Sequence, residues 1–241
     1  MTPSSAMILA AGKGERMRPL TSTCPKPLIE VAGKTMLARA YKHVQNAHIF
    51  NCVVNAHYLG SQIESAAQGF AKISHEVELL DTAGGVLKAL PLLESDPIFV
   101  LNGDVVWIDA TSSYLQKMSL AWTTEMKSLL MLVPKNEAYG YEGRGDFFLD
   151  EAGRLRRPQV GEDAPYIYGG VQIISKSAFE GYAIAPFSFN KIWNQLMEKG
   201  QLYGAPFEGP WFHIGTPEAL DSYEPIIRQL EEDLQRQRAH G

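Results

Sequence analysis

Ala6-Met-Ile-Leu-Ala-Ala-Gly-Lys-Gly-Glu-Arg-Met-Arg-Pro-Leu-Thr21, followed by Pro25-Lys26-Pro27-Leu28, sets the architecture of this chain. Ala6 to Ala11 is apolar, long enough for a buried strand and too short for a membrane span. The run breaks at Gly12 and Gly14, where the chain can turn tightly and bring backbone N–H groups close to a ligand. Lys13, Arg16, Arg18 and Lys26 follow within fourteen residues. A strand, a glycine loop and nearby cations predict a cradle for a polyphosphate.

Two common phosphate loops do not fit. Met17 occupies the third glycine of G-x-G-x-x-G, and no Gly-Lys-Ser/Thr closes a Walker loop. The pattern L-A-A-G-x-G-x-R-x-x-P-L-T, met by Leu9 to Thr21, and the P-K-P-L of Pro25 to Leu28 resemble the signature of sugar-1-phosphate nucleotidyltransferases.

Composition sets the bounds. The 241 residues are 45% hydrophobic, so the chain can bury a sizeable core. With 22 Lys and Arg against 27 Asp and Glu the net charge is −5, which argues against nucleic acid or an anionic membrane as partner. The two cysteines, Cys24 and Cys52, and the lack of a basic leader or a long apolar run give the expectation of a cytoplasmic protein.

Apolar periodicity predicts a helix over 35–47, a strand over 52–56, a helix opened by a Ser61–Glu64 capping box and running to about Phe70, and a strand over 76–80. Asp81–Gly85 reads as a second glycine loop leading into a helix through Leu93. Strands follow over 98–101, 128–133, 146–149 and 166–174, and helix 189–198 carries Trp193. Trp211–Thr216 reads as a strand ending in a loop. Thr216 and Pro217 are the N-cap and first residue of a charged helix to about Arg238. This alternation predicts an α/β fold, Rossmann-like and three-layered, with a mostly parallel central sheet. The resemblance implies one nucleotidyltransferase domain over 1–241. On that reading, residues about 1–104 would form a nucleotide-binding half, about 105–220 a sugar-phosphate-binding half and 217–241 the C-terminal helix. In such sheets ligands sit beyond the carboxyl ends of the strands, where the Gly12 loop, Asn55, the Gly84 loop and Asp104 would gather.

The resemblance implies a glycosyltransferase-A-like fold and nucleotidyl transfer. A sugar 1-phosphate attacks the α-phosphorus of a nucleoside triphosphate, releasing pyrophosphate and forming a nucleotide sugar. Carried onto this sequence, Arg16, Lys26 and Asp104 are the catalytic candidates. Leu9, Ala10, Ala11, Gly12, Lys13, Gly14, Asn55, Thr82, Gly84 and Gly85 are candidates for the nucleotide. Asn102, Asp146, Arg157 and Gly170 are candidates for the sugar phosphate. Asp104, at a strand tip facing the phosphates, would hold Mg²⁺. Gly84 and Gly85 would let a flat base lie against backbone.

The resemblance bends at Trp211-Phe-His-Ile-Gly-Thr216, where His213 occupies the position of the family's second metal-binding aspartate. Imidazole suits Mg²⁺ poorly. One metal on Asp104, a softer ion such as Mn²⁺ on His213, or His213 as a phosphate donor all remain open. Arg157 stands where many relatives carry a lysine. Asp81–Leu93, Asn102-Gly-Asp104 and Gly143–Phe147 are similar to the short bacterial N-acetylmuramic acid 1-phosphate uridylyltransferases of peptidoglycan recycling. Guanylyltransferases for mannose- or heptose-type 1-phosphates are the alternative, and a non-catalytic nucleotide-sugar sensor is a third reading. The expected assembly is a monomer or small homo-oligomer. His43 and His75 are read as structural, and Cys52 as core.

Overall fold

The computed structural model describes residues 2–109 and 112–240, with side chains to 237. Seven strands form the central sheet: β1 (Ser5–Leu9), β2 (Asn51–Ala56), β3 (Lys72–His75), β4 (Ile98–Asn102), β5 (Ser128–Pro134), β6 (Tyr166–Ile174) and β7 (Leu202–Pro206). Their order is β7-β5-β6-β4-β1-β2-β3. Every neighbouring pair is parallel except the two made by β6, which runs antiparallel between β4 and β5. Strands from both halves of the chain therefore share one sheet.

Among the described residues six α-helices accompany the strands: α1 (Met36–Asn46), α2 (Gly60–Ala67), α3 (Asp81–Ala89), α4 (Tyr114–Ala121), α5 (Phe189–Glu198) and α6 (Pro217–His240). Alternation along β1 sends Ala6 and Ile8 to one face and Met7 to the other. The first face packs against Leu37, Val44, Ile63, Leu115 and Met118 of α1, α2 and α4. The second packs against Val86, Ile192, Trp193 and Leu196 of α3 and α5. This is the three-layer arrangement expected from a sheet buried on both sides. A third cluster, with Met17, Val31, Met36, Phe212, Ile214 and Ile227, docks α6 beside the first loop.

The helix expected over 35–47 is α1, which Thr35 caps from outside: its hydroxyl accepts from the Ala38 N–H. Thr216 caps α6 in the same way through Ala219. Four expectations fail. No capping box forms at Ser61: Leu59, in a left-handed conformation, precedes α2, and Ser61 already lies inside a helix that ends at Ala67. The strand expected over 76–80 is instead β3, Lys72–His75, because Glu76 turns its side chain inward to hold the following loop. Asp81–Gly85 is not a loop but the start of α3. Only Trp211 and Phe212 of the 211–216 segment are strand, in a small separate sheet between Val106–Trp107 and Ala138–Tyr139.

Candidate active site

The parallel register brings the end of β1 beside the end of β4, with Leu9 opposite Asn102. The Gly103 N–H donates to Leu9 O at 2.9 Å, and a Cβ on Gly103 would lie 2.6 Å from that oxygen, so the two strand tips need a glycine to meet. This puts Asp104 over the first loop. Gly14, at φ +61, turns that loop; its carbonyl accepts from the Thr21 hydroxyl at 2.8 Å. Lys26 lies in the turn between Pro25 and Pro27, and its Nζ reaches Asp104 Oδ2 at 2.8 Å. The lysine side chain is 8% exposed and the carboxylate 39%.

A cavity of about 260 Å³ opens at these strand ends. Leu9, Ala10, Ala11, Gly12, Gly14, Lys26, Asn55, Thr82, Asn102 and Asp104 line it, joined by Leu79 and Asp81. A wider cleft shares Gly14, Lys26, Leu79 and Asp104 and adds Lys13, Arg16 and Gly215. Arg16 and Asp104, 88 positions apart by numbering (104 − 16), thus face one space. Sequence reasoning missed Leu79, whose apolar character looks like strand core, and Gly215, which lies in the Trp211–Thr216 motif but is not among the site candidates.

His213 stands beside this group. Burial pushes its pKa down, and the positive charges of Lys26 and Arg16 push the same way, against a smaller opposing pull from Asp104. The ring is therefore held neutral, a hydrogen-bonding group rather than a third cation. Its backbone N–H is fixed on Tyr139 O at 2.9 Å.

The remaining candidates are distributed differently. Gly84 and Gly85 do not line the cavity. A Cβ on Gly84 would lie 2.2 Å from Ala185 O, and one on Gly85 2.6 Å from Glu76 Oε1, so protein atoms fill the space expected for a base. Asn55 is 2% exposed, with its amide engaged by Ala10 and Glu76. Gly170, at φ +84 in the irregular pairing of β6 with β5, backs onto Asn102 and Val105. Asp146 Oδ2 accepts from the Tyr168 N–H at 2.9 Å. The Arg157 guanidinium covers the Phe147 ring at 4.2 Å and donates to Asn190 Oδ1. Burial lowers its pKa, with Asp146 opposing. Asn190 follows Phe189, whose N–H donates to the Thr82 hydroxyl at 3.1 Å, so Arg157 is connected to the cavity wall through α5. His43 is structural as expected, stacked on Trp107 and bonded to Asp109 at 3.2 Å, and His75 is exposed beside Glu64. No group of three or more His, Cys, Asp or Glu able to hold a metal occurs among the described residues, and none of their helices could cross a membrane.

Comparison with known proteins identifies the family. The nucleotidyl transferase family model matches residues 5–157. An N-acetylmuramate alpha-1-phosphate uridylyltransferase of Caulobacter vibrioides is 39% identical over 90% of this chain and 94% of its own length. A mannose-1-phosphate guanylyltransferase catalytic subunit beta of Danio rerio is 31% identical over 88% of this chain, which spans 61% of that longer protein. Among solved structures, the inositol-1-phosphate CTP transferase from T. maritima shares the fold with a TM-score of 0.75 at 18% identity, covering 95% of this chain and 96% of that one. Identity of 39% along nine-tenths of the sequence, together with a family model that spans the whole of the first loop and the Asp104 strand tip, means that this chain belongs to the nucleotidyl transferase family.

Proposed function

We propose that the chain is a uridylyltransferase acting on N-acetylmuramic acid 1-phosphate, one of the sugar-1-phosphate nucleotidyltransferases. Oxygen of the sugar phosphate forms the new bond to the α-phosphorus of UTP, the bridging oxygen to the β-phosphorus leaves with pyrophosphate, and UDP-sugar results. The observation that carries this reading is the near-full-length identity to the Caulobacter enzyme of that name. The convergence of Arg16, Lys26 and Asp104 supports it chemically.

Two anions must approach each other, so the main barrier is electrostatic. Lys13, Arg16 and Lys26 bind and neutralise the triphosphate, and the glycine loop offers backbone donors. Rigid placement of both substrates supplies the rest, with no covalent intermediate on the protein. His213, held neutral, donates to a phosphate oxygen without adding charge.

The residues fit one Mg²⁺. A half-exposed carboxylate at a strand tip, together with triphosphate oxygens, is the donor set this ion prefers, whereas the imidazole of His213 is not. Bound there, Mg²⁺ would neutralise phosphate charge. Arg157 is assigned to the sugar phosphate, with Asp146 and Gly170 shaping that side. The free Cys24 and Cys52 suit a cytoplasmic location, where the product would serve peptidoglycan recycling.

The test is pyrophosphate release by purified protein offered four nucleoside triphosphates and a panel of sugar 1-phosphates. UTP with N-acetylmuramic acid 1-phosphate is the expected pair. Preference for GTP with a mannose-type phosphate would replace this assignment by guanylyl transfer, and nucleotide-sugar binding without release would make the chain a sensor.

A further inference from the structure

The buried carboxylate of Glu76 has no part in the chemistry above, yet it ties two segments of the nucleotide cavity together. Glu76 Oε1 accepts from Asn55 Nδ2 at 2.7 Å, and Oε2 accepts from the Leu80 N–H at 2.9 Å. Asn55 Oδ1 accepts from the Ala10 N–H at 2.7 Å. The backbone of Glu76 is held as well: its N–H donates to Ala56 O at 2.9 Å, and its carbonyl lies 2.9 Å from His57 Nδ1. Ala10 belongs to the glycine loop and Leu80 sits between Leu79 and Asp81; Ala10, Leu79 and Asp81 line the cavity. Glu76 is 5% exposed and Asn55 2%, so each bond lies in a setting where a lost partner is not replaced by water.

The residue types follow from counting donors and acceptors. The relay ends on two backbone N–H groups, Ala10 and Leu80. Between them, one amide and one carboxylate satisfy every facing atom. Two amides would leave two donors facing each other, and two carboxylates would set acceptor against acceptor with like charge. The negative member stands at the N-terminus of α3, where the helix dipole favours it. Gly85 belongs to the same device, because a Cβ there would meet Glu76 Oε1 at 2.6 Å and Asn55 Nδ2 at 3.0 Å.

We propose that Glu76 and Asn55 are positioning residues that fix the Leu79–Thr82 wall against the glycine loop and so set nucleotide affinity. This deepens the proposed function and rests on its assignment of the cavity to the nucleotide.

The experiment compares wild type, Glu76→Gln, Asn55→Asp and the double variant, which exchanges amide and carboxylate and restores all three bonds on paper. Calorimetric Kd for UTP and KM for both substrates are the readouts. Each single variant is expected to weaken nucleotide binding by about tenfold or more, the effect of one unpartnered buried group, and to leave the sugar-phosphate KM within about twofold. The double variant is expected to regain nucleotide affinity to within about threefold of wild type. Unchanged nucleotide Kd in the single variants, an equal rise in both KM values, or a double variant no better than the worse single one would overturn the relay. If the single variants do not fold, the double variant decides alone: folded with near-normal UTP affinity supports the proposal, anything else overturns it. Wild type that binds UTP but releases no pyrophosphate with any sugar phosphate would sink the activity reading and leave the relay measurable through Kd.

Discussion

Lys26 Nζ lies 2.8 Å from Asp104 Oδ2, joining residues 78 positions apart. The ammonium is almost sealed from solvent and the carboxylate is not. An ammonium so enclosed needs a compensating charge. The half-open carboxylate supplies it while keeping an edge free toward the cavity.

Replacing Lys26 by Met, or Arg16 by Ala, should remove most turnover. Loss of one preorganised partner for phosphate charge costs about 3–4 kcal/mol, or roughly 10²–10³ in kcat. Lys26→Met preserves volume at a buried position, and the Asp104 carboxylate it leaves behind can hydrate, so the fold should survive. Pyrophosphate release and a circular-dichroism melt check the two halves of this prediction; near-normal release from either variant would remove that residue from the reaction.

Asp104→Asn keeps the shape and can still accept from Lys26, but lacks the charge. The Mg²⁺ concentration for half-maximal activity should rise by at least about 10–100-fold, the range that altering even an outer partner of a metal ligand produces. Mn²⁺ binding followed by electron paramagnetic resonance with UTP present should weaken in parallel. An unaltered metal requirement would show that Asp104 is not the ligand.

His213 has a folded-state pKa below its ordinary value of 6.5. For a histidine held neutral, the stabilisation is complete above the unfolded pKa and is lost as pH falls from about 6.5 toward the folded pKa. NMR titration of the metal-free protein should place the His213 midpoint below 6.5. His213→Gln should flatten the fall in stability over that acidic window; a midpoint at or above the ordinary value would contradict the burial argument.

Gly170→Ala should destabilise the fold. The position has φ +84, and a Cβ would stand 2.6 Å from Val105 Cγ2. Strain of this kind costs on the order of 1–3 kcal/mol. At about 2–4 °C per kcal/mol for a domain this size, calorimetry should register a clear drop in Tm. An unchanged Tm would mean that β6 can move away from β4 at no cost.

The glycine loop, the parallel order of the first strands and the buried helix faces were legible because local patterns carry them. An apolar run of strand length, Gly12 and Gly14 as turn points, and Thr216 as a cap each act over a few residues. The 76–80 segment was misread because apolar Val77, Leu79 and Leu80 imitate a strand. Only the inward Glu76 side chain, meeting donors from Asn55 and Leu80, makes the loop they form worth its lost pairing. Gly84 and Gly85 were misread for a related reason, since a glycine reports that something approaches closely but not what. Here the approaching groups are Ala185 O and the Asn55–Glu76 pair.

By itself, then, the sequence determined that a strand, a glycine turn and a run of cations open an α/β chain, because those choices depend on neighbours a few positions away. Only the tertiary structure brings Arg16, Lys26 and Asp104, which the resemblance marks as one catalytic set, into a single cleft with His213 beside it. Parallel pairing of β1 with β4 brings together strand tips that are distant in sequence, and the α6 cluster carries His213 to the same edge. The charge on His213 was decided there too, because it follows from burial and from two cations that no sequence spacing puts beside it.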